Sequence, residues 1–300
     1  MIQIAFDPKY ILPTPSDHRF PMLKYELIPA QLMHEGTCMP AQFVAPNSCK
    51  KEVVLYTHTA AYYDKLMALQ LTASEQRKIG FQQSETLIER ELMIMQGTIN
   101  VALSALKDGV GLNIAGGTHH AFAERGEGFC ILNDMAIASN YLLKHHFAKK
   151  ILIIDLDVHQ GNGTAKIMEE NKNVFTFSMH GATNYPFHKE KSDLDIGLPD
   201  GTDGPTYLKI LHETLPSIIQ QFKPDFAFYL SGVDILSTDK FGKFNITIEE
   251  CKQRDAFVFN CLKQNNIPVA VALGGGYSPD IKVIIEAHCN TFRLAMDLFA

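Results

Sequence analysis

Asp155, Asp157 and His159 stand at alternate positions and offer the first chemistry in this 300-residue chain. They close the stretch 149–163, KKILIIDLDVHQGNG, where an apolar run delivers two carboxylates and an imidazole and then breaks at Gly161. Residues two apart share one face of a β-strand, so the three groups are expected together at the C-terminal end of a strand. Ligands of open α/β sheets bind at that end, and Asp and His are residue types that hold zinc. Three more apolar runs end in reactive side chains: 111–117 opens into His119 and His120, 225–231 into Asp234, and 268–273 into Tyr277.

Two carboxylates and an imidazole (Asp157, His159, Asp234) would make three N and O ligands and leave a fourth position for water or substrate. Such a metal polarises a carbonyl and lowers the pKa of water. A histidine nearby supplies a general base that works near neutral pH, and the Tyr277 hydroxyl supplies a donor to an oxyanion. Glycines beside Tyr277 let backbone and substrate approach closely. The set suits metal-assisted hydrolysis of an amide or ester. Adjacent histidines alone do not: His145 and His146 lie among lysines in LKHHFAKK and read as a solvated helix end.

The elements that must position these groups alternate along the chain. Strands are expected near 2–6, 53–56, 111–117, from Ile151 through His159, and near 174–179, 225–231 and 268–273. Residues 84–106 space Ile88, Leu92, Met95, Ile99, Ala102 and Leu106 three or four apart, as a packing helix does. Helices are also expected at 25–33, from Asn133 to about 141, at 164–170, and at 206–222 with a kink or split at Pro216. A helix at 247–264 opens on a Thr247/Glu250 capping box, and a terminal helix begins at Ser278-Pro279. A proline-rich loop containing His18 and Arg19 spans 12–21. Apolar strands alternating with helices predict one α/β domain over residues 1–300, built on a parallel sheet covered on both faces.

Composition narrows the classes. Hydrophobic residues make up 46% and charged residues 20%, enough for a sizeable core. Net charge is -6 and Lys and Arg form no dense block, which argues against a dedicated nucleic-acid surface. Six scattered cysteines without a CxxC pair read as thiols of a reducing compartment. No signal peptide and no apolar run of membrane-spanning length is evident, so a cytoplasmic location is expected.

The motifs GGTHHA (116–121), GFCILND (128–134), DLDVHQGNG (155–163), SGVD (231–234) and GGGY (274–277) occur in the order found in the zinc-dependent histone deacetylase family, which the chain resembles over nearly its whole length. HRFPMLKY (18–25), RGEGFC (125–130) and the Tyr185-Pro186 loop look most like the class IV branch and its bacterial members. The resemblance implies the arginase/deacetylase fold, a mainly parallel eight-stranded sheet with helices on both faces. It implies Zn²⁺ on Asp157, His159 and Asp234, with His120 as general base and acid, His119 as its electrostatic partner and Tyr277 on the substrate carbonyl. Phe129 and Tyr185 would line the channel for a lysine stem, Gly128 would accept from the amide N–H, and Gly275 would border the substrate. A structural K⁺ maps onto Asp155, Ser178 and Met179 with backbone of Asp157 and His159.

Asn162 stands where many relatives carry Asp behind the base. A neutral amide does not raise an imidazole pKa as a carboxylate does, so His120 is expected to stay neutral, while Asp155 favours a cationic His119. The implied substrate is an acylated protein or peptide, above all acetyl-lysine. Long-chain fatty-acyl-lysine, acetylpolyamines or other small acylated amines, and a catalytically silent acyl-lysine-binding module are the alternatives. A two-manganese, arginase-like centre needs more carboxylates than these three ligands supply.

Overall fold

Strands that are apolar on both faces must be covered on both faces, and this chain's strands are. The computed structural model describes residues 1–15 and 18–300; Ser16 and Asp17, within the proline-rich loop expected at 12–21, lie outside the described residues. The strands are β1 (Ile4–Ala5), β2 (Phe43–Val44), β3 (Val110–Asn113), β4 (Ile151–Asp155), β5 (Val174–Gly181), β6 (Leu194–Leu198), β7 (Phe226–Gly232) and β8 (Val269–Gly274). They form one sheet in the order β2-β1-β3-β8-β7-β4-β5-β6, and every pairing is parallel. Ile151 to Ile154 are at most 1% exposed; each side chain of this kind contributes about 1.5–3 kcal/mol on burial.

The helices are α1 (Lys24–His34), α2 (Lys51–Val54), α3 (Ala60–Met67), α4 (Ala73–Ile79), α5 (Glu85–Asp108), α6 (Asp134–Lys144), α7 (Asn162–Met168), α8 (Gly204–Phe222), α9 (Ile248–Gln264) and α10 (Ile281–Phe299). Ser84 caps α5 and Asn133 caps α6 through their side chains. The Thr247/Glu250 box opens α9 as expected. All six cysteines are buried and unpaired.

Several boundaries differ from expectation. Residues 53–56 form no strand: Val53 and Val54 N–H donate to Lys50 O and Leu55 N–H to Lys51 O, closing the short turn of α2. Strands β2 and β6 were not expected; one is two residues long and the other is only partly buried, as edge strands often are. Helix α8 continues through Pro216 instead of splitting. The last helix is capped by Asp280, which accepts from Lys282 N–H, and not at Ser278.

The most consequential difference lies at β4, which stops at Asp155. Asp157 N–H donates to the Asp155 carboxylate (3.2 Å), Val158 N–H to Asp234 (3.0 Å) and His159 N–H to Asp157 (2.9 Å). Side chains thus take the donors that a longer strand would have placed in a ladder. Asp157 and His159 meet through this turn and not through strand alternation.

Candidate active site

The four reactive loops follow β3, β8, β7 and β4, which are consecutive neighbours in the sheet. Their C-terminal ends therefore share one rim. The Asp157, His159 and Asp234 ligand atoms lie within 4.8 Å of one another. His159 Nδ1 is 3.0 Å from Asp157 Oδ1 and 3.1 Å from Asp234 Oδ2. Gly275 permits this closeness: its φ is +58°, and a Cβ there would come within 2.3 Å of the Asp234 carboxylate. Burial and the Asp157 charge push the Asp234 carboxyl above the usual carboxylate range. Burial opposes a charged His159, yet Asp157 and Asp234 raise it to about 10. Two buried carboxylates around one imidazole nitrogen hold excess negative charge, and three clustered N and O donors are the kind of set zinc takes.

Beside this triad stand two histidines of equal burial. Thr118 fixes their loop, donating from N–H and Oγ1 to Asp134 Oδ1 at 2.9 Å each. His119 Nδ1 is 2.7 Å from Asp155 Oδ2, and His120 Nδ1 is 2.7 Å from Asn162 Oδ1. Burial opposes a charge on His119, but Asp155 outweighs it and lifts the imidazole to about 9. Burial pulls His120 well below its ordinary value, helped by the charges of His119 and His159.

The orientation of Asn162 is set from behind. Its Nδ2 donates to Glu127 Oε1 at 2.8 Å, and a carboxylate can only accept there. The Asn162 oxygen must then face His120, which places the imidazole proton on Nδ1 and leaves Nε2 with a free lone pair. Glu127 Oε1 also accepts from the Tyr185 hydroxyl at 2.9 Å, and the Tyr185 ring stands edge-on to His120, 4.9 Å away.

A cavity of about 480 Å³ opens over these groups, and Gly128, Phe129, Tyr185, Gly275 and Tyr277 line it. Gly128 N–H donates to Lys78 O (3.0 Å), and its φ of +57° leaves room for His120, whose Cδ2 would lie 2.6 Å from an added Cβ. The Phe129 and Tyr277 ring centroids are 6.1 Å apart. Burial, then Asp234 and Asp157, keep the Tyr277 phenol protonated far above neutral pH. Gly275 O accepts from Lys24 Nζ at 2.6 Å. Behind the triad, Ser178 pairs with Asp155 across adjacent strands, its Oγ lies 2.9 Å from His180 Nδ1, and Met179 is fully buried.

Five contributors escaped the sequence reading. Glu127 lies inside RGEGFC, where a carboxylate between two glycines was a usable signal. Lys24 is fully buried, and burial lowers it to about 8 against the pull of Asp234 and Asp157. Asp239 accepts from Tyr277 N–H at 2.6 Å and so ties down that loop. Arg254, buried and paired with Asp255, donates to Gly232 O (2.6 Å) and Leu156 O (3.2 Å) beside two ligand positions. His18 stacks on Phe81 and reaches Gly80 O, so it packs against two residues that line the cavity.

The profile described as "Histone deacetylase domain" matches residues 17–292. The chain belongs to the histone deacetylase family. An uncharacterised protein of Picosynechococcus sp. is 40% identical over 99% of both chains. Histone deacetylase 2 of Arabidopsis thaliana is 29% identical over 92% of this chain and 74% of its own length. The acetoin utilization protein AcuC of Staphylococcus aureus is 27% identical over 93% and 77%. Among solved structures, the HD domain of HDA15 superposes with a TM-score of 0.81 at 22% identity, covering 97% of this chain and 90% of that one. The arrangement is the arginase/deacetylase fold, and the protein is a histone deacetylase-family hydrolase whose substrate carries an acyl group.

Proposed function

We propose that this chain is, over residues 1–300, a single Zn²⁺-dependent catalytic domain that removes an acyl group, above all acetyl, from the side-chain amine of acylated lysine. The observation that carries this reading is the meeting of Asp157, His159 and Asp234 on the cavity floor, within 4.8 Å of one another, beside an imidazole with a free Nε2. Bound Zn²⁺ supplies Lewis acidity toward the acyl carbonyl and toward water.

The residues divide the remaining work. His120 Nε2 takes a proton as general base and returns one to the departing amine. Cationic His119, held by Asp155, stabilises negative charge as it develops. The Tyr277 hydroxyl donates to the carbonyl oxygen. Phe129 and Tyr185 flank the lysine stem, and Gly128 O accepts from the scissile amide N–H. Asp155, Ser178 and Met179, with backbone of Asp157 and His159, hold a structural K⁺. Class IV-like motifs and a cytoplasmic setting belong to the same reading. No helix among the described residues is long and apolar enough to cross a membrane.

Metal analysis of the purified protein, joined to hydrolysis of an acetyl-lysine peptide, tests the proposal. Zinc near one equivalent and turnover abolished by His120→Ala or Tyr277→Phe are expected. Near-normal turnover in either variant sinks the mechanism. No zinc and no turnover would point to a silent binding module. A series from acetyl to myristoyl on one peptide, with an acetylpolyamine alongside, sorts the acyl and amine preferences.

A further inference from the structure

The cavity floor is acidic, but its mouth is not. Arg19, Arg77, Lys78, Lys240 and Lys243 all line the cavity, and all five are exposed. They come from three separate places: the loop before α1, the last turn of α4, and the loop after β7. This explains why a chain of net charge -6 without a basic run can still gather a cationic rim. Arg77 and Lys78 alone could be explained by the dipole at the end of α4. Lys240, Lys243 and Arg19 cannot, because no helix ends at them.

Little neutralises this rim. Lys243 lies 3.4 Å from Asp200 and donates to Thr183. Among the described residues, Arg19, Arg77, Lys78 and Lys240 make no ion pair. The rim is also tied to the channel, since Lys78 O accepts from Gly128 N–H and Ile79 O from Phe129 N–H at 2.7 Å. Beside the cations stands Phe187, 85% exposed, with its ring 6.5 Å from that of Tyr185. An aromatic surface outside the channel suits a chain that continues beyond the modified lysine.

We propose that the mouth selects acyl-lysine in polypeptide segments with flanking Asp or Glu, and rejects cationic substrates such as acetylpolyamines or lysine-rich tails. The inference deepens the deacylase reading and rests on it for the identity of the acyl-lysine. Several exposed charge pairs, each weak, together give a preference of roughly tenfold that fades as salt screens it.

The test is binding, so that it does not depend on turnover. Two fluorescent peptides carry a methyl-ketone isostere of acetyl-lysine, one flanked by Asp and Glu, the other by Lys and Arg. Fluorescence anisotropy should show the acidic peptide binding roughly tenfold tighter at low salt, with the ratio shrinking toward one at high salt. Arg77→Glu/Lys78→Glu, and independently Lys240→Glu, should lower or invert the ratio. Equal binding of the two peptides overturns the proposal, as does a ratio unmoved in both variants. So does tighter binding of acetylspermidine, or of a DNA oligonucleotide of matched charge, than of the acidic peptide. A failure to hydrolyse any acetyl-lysine peptide would count against the deacylase reading alone, because the anisotropy ratio still decides the rim.

Discussion

His119 and His120 stand side by side in the site and differ sharply in chemistry. Each is 5% exposed, and their rings are 4.1 Å apart. Each Nδ1 meets an oxygen at 2.7 Å. One oxygen belongs to the Asp155 carboxylate and the other to the Asn162 amide. Burial alone drives both imidazoles toward neutrality. The carboxylate reverses that for His119, raising it to about 9, while the amide leaves His120 well below its ordinary value. Neighbours of the same ring type thus become a standing cation and a standing base. The largest test of this contrast is truncation of the base. His120→Ala should lower kcat by about 10²–10⁴ on an acetyl-lysine peptide at matched zinc occupancy. His119→Ala should cost less, and the reverse order would break the assignment.

The next effect comes from making the two dyads alike. Asp155→Asn keeps an oxygen beside His119 but removes its charge. Burial then prevails at both rings, and neither His119 nor His120 holds a positive charge near the acyl carbonyl at neutral pH. A fall in kcat of about 10- to 100-fold, measured with K⁺ in excess, is expected for the loss of one electrostatic stabiliser of this kind. Unchanged turnover would mean that the His119 cation has no part in the reaction.

What the sequence disclosed and what it hid follow the same physical line. The apolar run into Asp155 and the glycine motifs were legible because a strand and the tight turn after it are local events. The neighbouring places of His119, Asp157, Asp234 and Tyr277 followed from one topological rule, that parallel strand ends share a rim. Edge strands β2 and β6 hid because they are short or only half buried. The alternation of Asp155, Asp157 and His159 led to the right residues through the wrong geometry, since carboxylates capture the turn's N–H groups and end the strand. Lys24 and the rim cations hid because tertiary structure alone assembles them. Lys24 reaches Gly275 O across 251 positions, and nothing in HRFPMLKY marks a lysine for full burial.

A pH–rate profile sharpens the comparison next. The sequence alone suggests that Asn162→Asp would raise the His120 pKa and move the acidic limb of kcat/KM upward, so that activity is lost at higher pH. Glu127 changes that expectation. In place of the amide N–H, a carboxylate oxygen would face Glu127 Oε1 at the present 2.8 Å. Two acids so close cannot both ionise. They would share a proton, and His120 would see almost the same charge as before. The single variant should therefore shift the limb by less than about half a unit, whereas Asn162→Asp/Glu127→Gln should shift it upward by about one to two units. A full shift in the single variant would show that Glu127 does not control the residue behind the base.

The smallest effect isolates Glu127 itself. Glu127→Gln keeps the size of the side chain, and its amide oxygen can still accept from Asn162 Nδ2 or from the Tyr185 hydroxyl. What it loses is obligatory direction, because the new amide can turn and donate. Asn162 then becomes free to flip, and a flipped Asn162 would present N–H to His120 Nδ1, moving the imidazole proton to Nε2 and silencing the base. A correctly oriented fraction of one third to one half would lower kcat about two- to threefold with KM little changed, in proportion to the competent population. Glu127→Ala also frees Tyr185 from its acceptor, so it should raise KM as well. Equal effects of both variants on KM alone would assign Glu127 to the channel wall and remove it from the control of the His120 tautomer.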